Sequence, residues 1–75
     1  MKVFVTGVAG QLGHDVAGEL SRRGVCVLGS DIKPEGEVAP ICGGAGALSY
    51  CALDITDAAA VEKAIGAFRP DAVVH

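Results

Sequence analysis

At 75 residues the chain has room for one domain with a thin core, and its 51% apolar composition argues against disorder. A net charge of −3 argues against nucleic acid or an anionic membrane as a partner, and no apolar run approaches the roughly 20 residues of a membrane span. The three cysteines, Cys26, Cys42 and Cys51, are odd in number and form no C-x-x-C pair, which disfavours both a disulfide framework and a zinc site.

Those cysteines read instead as reduced thiols of a cytoplasmic protein, two of them inside strands. His14 and His75 stand alone in sequence, so no metal site is expected. The apolar N-terminal stretch turns at Thr6-Gly7 and is too short for a signal peptide.

Lys2 to Thr6 is β-branched and apolar without polar alternation, the pattern of a strand buried on both faces of a parallel sheet. Gly7-Val8-Ala9-Gly10 breaks it. From Gln11 the period becomes helical, with Leu12, Val16 and Leu20 recurring every four residues and Ala17 alongside, which predicts a buried stripe. Arg22 and Arg23 suit the last turn and Gly24 the C′ position. Gly18 inside this helix costs up to about 1 kcal/mol relative to Ala, which a close helix–strand approach would explain.

Val25 to Ser30 is a second apolar run ending at Asp31. Residues 32–47 hold two prolines and a cluster of glycines and predict a flexible loop. Leu48 to Leu53 predicts a third strand, and Thr56 or Asp57 an N-cap. The helix at 57–68 is expected to bury Val61, Ile65 and Phe68, with Ala64 between them. Pro70 stops it by disfavouring helical geometry at Arg69. Ala72 to His75 opens a fourth strand. Alternation of this kind predicts an α/β fold: a partial Rossmann-type, doubly wound parallel sheet of about four strands in the order 3-2-1-4, with one helix on each face.

Gly7, Gly10 and Gly13 carry the spacing G-x-x-G-x-x-G between a strand and a helix. Gly7 allows the tight turn, Gly10 lets a phosphate approach the backbone, and Gly13 lets the helix pack close to the sheet. Free N–H groups near Gly10, Gln11 and Leu12 then face a pyrophosphate at the positive end of the helix dipole. Three spaced glycines are weak evidence alone, but the strand–turn–helix–strand context that the motif requires is met.

Asp31, 18 residues past Gly13, ends the next strand, where an acid accepts hydrogen bonds from ribose hydroxyls. Its charge repels a 2′-phosphate and favours NAD over NADP, while Lys33 carries an offsetting charge. Ile32 follows it at the same edge. Asp54 and Ile55 end the third strand on that edge, where an apolar residue beside a carboxylate suits an adenine. Capping of a turn is the competing role for Asp54.

The glycine spacing resembles the short-chain dehydrogenase/reductase superfamily. More narrowly, residues 5–13 (VTGVAGQLG), with Leu53-Asp54-Ile55-Thr56-Asp57, Ala60-Val61 and Arg69-Pro70-Asp71-Ala72-Val73-Val74-His75, look like dTDP-4-dehydrorhamnose reductases. The resemblance covers most of the chain apart from 32–47. It implies NAD(P)H-dependent reduction of a 4-keto-deoxysugar nucleotide, with Gly10, Gln11 and Leu12 at the pyrophosphate, Asp31 at the ribose and Asp54-Ile55 at the adenine. That family also carries a catalytic Thr/Ser and a Tyr-x-x-x-Lys pair. Here the single tyrosine, Tyr50, is followed four residues later by Asp54, so residues 1–75 hold no catalytic set.

The chain is therefore expected to be the N-terminal dinucleotide-binding half-domain of such a reductase, with the sugar-nucleotide domain absent. A homodimer is compatible with this reading. Two alternatives stay open: an epimerase or dehydratase of the same superfamily, and a non-catalytic dinucleotide-binding regulatory protein resembling the regulatory subunit of methionine adenosyltransferase. A response-regulator-type domain is set aside, because Gly7-Val8-Ala9-Gly10 holds no acid.

Overall fold

Four strands, β1 (Lys2–Thr6), β2 (Cys26–Asp31), β3 (Leu48–Ala52) and β4 (Ala72–Val74), pair in parallel in the order β3-β2-β1-β4. The computed structural model describes residues 1–38 and 46–75. Val3 sits opposite Val27 on one side and Ala72 on the other, and Asp31 opposite Ala52. Helix α1 (Gln11–Arg22) links β1 to β2, and helix α2 (Ala58–Phe68) links β3 to β4. The strand order reverses at β1, so right-handed crossovers place the two helices on opposite faces and leave a crevice at the carboxyl ends of β1 and its neighbours.

The core lies mainly under α1. Val3, Val5, Val8, Ala17 and Val27 form it, with Val16, Leu20, Val25, Val38, Leu48 and Tyr50 packed around them. The α1 residues fully buried are Ala17, Gly18 and Ser21. With Gly13 they make a small-residue stripe on the packed side of the helix. This corrects the stripe expected from Leu12, Val16 and Leu20: Val16 and Leu20 flank the contact, and Leu12 is 79% exposed. The close approach at Gly13 rotates the helix so that its first large apolar residue faces outward. Gly24, at φ +84°, takes the C′ position as expected.

Lys2 and Phe4 point to the other face, since side chains alternate along a strand. Phe4 is fully buried there, and Lys2 Nζ reaches Phe68 O at 3.3 Å while lying 5.6 Å from the Phe68 ring centroid. The expectation that α2 buries Val61, Ile65 and Phe68 is corrected. None of its residues is fully buried, and these three with Ala64 are half-buried. The edge strand beside them has only three residues, all exposed, so the sheet offers α2 little to pack on. Asp57 is the N-cap of α2, accepting the N–H of Ala60 at 3.2 Å. At the other end Arg69 takes a left-handed conformation, φ 54° and ψ 60°, and donates its N–H to Ile65 O at 2.7 Å.

Of the loop expected over 32–47, residues 39–45, and with them Cys42, lie outside the described residues. Its flanks carry more structure than their composition suggests. Glu35–Glu37 form a single 3-10 turn, Val38 packs on the core, and Gly46 exchanges hydrogen bonds with Ser21: Gly46 N to Ser21 O and Ser21 Oγ to Gly46 O, both 2.9 Å. Cys26 and Cys51 are free thiols in β2 and β3, and burial pushes the Cys51 thiol up.

Candidate functional site

The glycine turn leaves β1 through Gly7, at φ +71°, and closes with Gly10 N–H donating to Gly7 O at 3.0 Å. Gly10 and Gly13 do different work within it. A Cβ on Gly13 would stand 2.3 Å from Gly7 O, so helix and turn approach only because that side chain is missing. A Cβ on Gly10 would meet nothing nearer than Gly7 O at 3.4 Å, so the space beside its Cα is open. Val8, between them, is fully buried and donates its N–H to Ser30 O at 3.1 Å, which ties the turn to β2.

Gly10 is the N-cap of α1 in extended geometry and supplies no side-chain acceptor. By helix geometry the N–H groups of Gln11, Leu12 and Gly13 have no intrahelical partner. No acid stands in the first turn of α1 to offset its positive end. The Gln11 amide nitrogen is engaged by Asp15, at 3.1 Å from each carboxylate oxygen.

Asp31 joins the end of β2 to this turn. Its Oδ2 accepts the N–H of Ala9 at 3.0 Å, and its Oδ1 faces the N–H of Lys33 at 3.4 Å. Its backbone carbonyl accepts the N–H of Leu53 at 2.8 Å and the hydroxyl of Tyr50 at 3.1 Å. The same hydroxyl also bonds Lys33 O.

An open cleft of about 440 Å³ runs along the carboxyl ends of the strands. Thr6 and Gly7 contribute from β1 and its turn, Ser30 and Asp31 from the end of β2 with Ile32 just after it, Leu53, Asp54 and Ile55 from the segment that follows β3, and His75 from beyond β4. Ile32 is 68% and Ile55 50% exposed, so the walls present apolar side chains to solvent. Ser30 Oγ is fully buried and is the only such side-chain polar atom among the described residues without a hydrogen-bond partner. His75 Nδ1 lies 3.0 Å from Thr6 Oγ1.

Asp54 is an exposed turn cap. The hydroxyl and the N–H of Thr56 both donate to its Oδ1, at 2.7 and 2.9 Å, and together they hold its carboxyl below the ordinary value of 3.8.

The structure thus brings Gly7, Asp31, Ile32, Asp54 and Ile55 together around one cleft. Gly10, Gln11, Leu12 and Gly13 form the adjoining turn and helix start rather than the cleft lining. Sequence reasoning missed Thr6, Ser30, Leu53, His75 and Tyr50. Position at the carboxyl end of a strand was the available signal for the first four. For Tyr50 no local signal existed, because its partners lie 17 and 19 residues away. Among the described residues no group of three His, Cys, Asp or Glu is placed to hold a metal ion, and no helix is long and apolar enough to cross a membrane.

The model of the NAD dependent epimerase/dehydratase family matches residues 3–75. WbmH of Bordetella bronchiseptica, solved with NAD+, is 36% identical and superposes with a TM-score of 0.78, over 99% of this chain and 24% of its own. WbmG of the same organism, solved with NAD, is 31% identical at a TM-score of 0.79, over 100% of this chain and 24% of its own. Its structure with NAD and UDP gives 30% identity and a TM-score of 0.77, over 97% of this chain and 23% of its own. The chain therefore spans about a quarter of the length of the solved structures that it matches. A search of curated proteins found no match.

Proposed function

Because the chain belongs to the NAD dependent epimerase/dehydratase family, we propose that residues 1–75 are the N-terminal dinucleotide-binding half-domain of a nucleotide-sugar oxidoreductase. The observation that carries this is the joining of Asp31 to the glycine turn at the mouth of one open cleft. In this reading the acid for the ribose and the amides for the pyrophosphate are held in fixed relation by the bond from Ala9 N–H to Asp31 Oδ2.

The residues fit the cofactor on three counts. The space beside the Gly10 Cα is open on a turn that is otherwise tightly packed. Ser30 Oγ is a buried polar atom at the cleft without a partner. Ile32 and Ile55 expose apolar surface at the same edge, as an adenine slot requires.

In the proposed complex the N–H groups of Gln11 and Leu12 hold the pyrophosphate beside Gly7, Gly10 and Gly13, with the α1 dipole behind them. The Asp31 carboxylate accepts the ribose hydroxyls and excludes a 2′-phosphate, which favours NAD. Ile32, Asp54 and Ile55 flank the adenine, Asp54 through the shape of the turn it caps. The nicotinamide, when bound, supplies hydride chemistry. Residues 1–75 contribute binding and orientation to that chemistry and no proton donor.

Within the family we assign the chain to a reductase of dTDP-4-dehydrorhamnose, on the match of residues 5–13 and 53–75 to that pattern. The proton-donating tyrosine, its lysine and the sugar-nucleotide domain would then lie outside residues 1–75. The complex of WbmG with NAD and UDP favours a second reading, an epimerase or dehydratase acting on a uridine-nucleotide sugar. A reading frame that includes residues 1–75 and a Tyr-x-x-x-Lys pair, assayed with NADPH or NADH, decides between them. Turnover of dTDP-4-dehydrorhamnose supports the reductase. Turnover of a UDP-sugar alone supports the second reading.

A further inference from the structure

We propose that Tyr50 is a positioning residue for the adenosine end of the dinucleotide, a role that rests on the cofactor reading above. Tyr50 stands in β3 opposite Gly29, with its ring against the α1-side core. Its hydroxyl crosses to the exit of β2, where it bonds Asp31 O at 3.1 Å and also Lys33 O. A hydroxyl has one proton, so the two carbonyls share it. These are the residues on either side of Ile32, the most exposed apolar residue of the cleft wall. One side chain therefore fixes both ends of a three-residue arc that carries the ribose acid and an adenine wall.

The two ends of the arc do not depend on Tyr50 equally. Asp31 O has a second donor, the N–H of Leu53 at 2.8 Å, and so stays anchored without the hydroxyl. Lys33 N–H reaches Asp31 Oδ1 only at 3.4 Å, a contact that the carbonyl anchor on the same residue keeps in place. Loss of the hydroxyl frees Lys33 to move away from the carboxylate, and with it Ile32. The Asp31 carboxylate then keeps its bond from Ala9 N–H at Oδ2 but loses the contact at Oδ1, while the fold keeps the tyrosine ring in its core.

The test is Tyr50→Phe in the 75-residue chain, which keeps the ring and removes the hydroxyl. The affinity for NAD should fall about fivefold, the scale of one hydrogen bond. The affinity for NADP should fall less, so the NAD:NADP ratio drops. Amide hydrogen exchange at Lys33 should quicken in the cofactor-free protein, while Ala9, still bonded to Asp31 Oδ2, keeps its protection. In the wild-type chain NAD should also shift the ring resonances of Tyr50, the single tyrosine. Equal weakening of both dinucleotides with a lowered melting temperature would mark Tyr50 as structural only and overturn the inference. So would an unshifted Tyr50 ring at NAD saturation, or a variant that binds as the wild type does. If the wild-type chain takes up neither dinucleotide, the cofactor reading fails and this role fails with it.

Discussion

The carboxylate of Asp31 accepts the N–H of Ala9 at 3.0 Å, so the acid that ends β2 and the turn that ends β1 form one hydrogen-bonded unit. A side chain expected to read a ribose therefore also braces the turn expected to read a pyrophosphate.

That dual role separates two substitutions. Asp31→Asn keeps an oxygen that accepts from Ala9 and removes the charge. It should preserve exchange protection at Ala9 and shift the preference from NAD toward NADP. Asp31→Ala removes both and should weaken NAD by about tenfold or more, with faster exchange at Ala9. Calorimetric titration with each dinucleotide checks the pair. Equal losses of NAD and NADP in both variants would take Asp31 away from the ribose.

Gly10 and Gly13 should part in the opposite sense from their shared place in one motif. Gly13→Ala puts a Cβ 2.3 Å from Gly7 O and should cost about 1–3 kcal/mol of stability as helix and turn separate. Gly10→Ala meets only a 3.4 Å contact, so its melting temperature should stay near that of the wild type while NAD affinity is lost. Thermal melts and titrations of the two variants read this directly.

Asp54 makes the start of α2 sensitive to acid. Thr56 holds its carboxyl below 3.8, so the folded state binds that proton less readily than the unfolded chain does. The resulting stabilisation is fully present above pH 3.8 and is lost as pH falls through the lower, folded value. Thr56→Val removes the hydroxyl donor and leaves the backbone one, so a carboxyl titration by NMR should move the Asp54 midpoint part of the way back up.

Arg69 is a non-glycine residue at φ 54°, a conformation that costs about 1–2 kcal/mol for a residue with a Cβ. Arg69→Gly should relieve that strain at the end of α2. For a domain of this size a gain of 1 kcal/mol raises the melting temperature by roughly 4–8 °C. A lower melting temperature would show that the Arg69 side chain contributes more than its backbone costs.

Much of this architecture is legible in local sequence. Lys2 to Thr6, the glycine turn and the Asp57 cap are set by residues adjacent in the chain, and the alternation of strands and helices points to a parallel sheet. What escapes depends on contacts between distant residues. The period of Leu12, Val16 and Leu20 points to one helix face, and Val16 and Leu20 do pack at the edge of the core, but the close approach at Gly13 centres the contact on smaller residues and leaves Leu12 in solvent. The apolar residues of α2 look like a buried face, yet a three-residue edge strand leaves them half covered. Asp31 is recognisable from its spacing, but its bond to Ala9 and its anchor at Tyr50 follow only from the folded register.

Titration of the isotopically labelled 75-residue chain with NAD, followed by amide NMR, asks most directly whether the cleft is a dinucleotide site. Weak but saturable shifts should concentrate at Gly10, Gln11 and Leu12, at Asp31 and Ile32, and at Ile55. A folded chain with no saturable shift at those amides, or with shifts confined to the outer face of α1, would contradict the assignment.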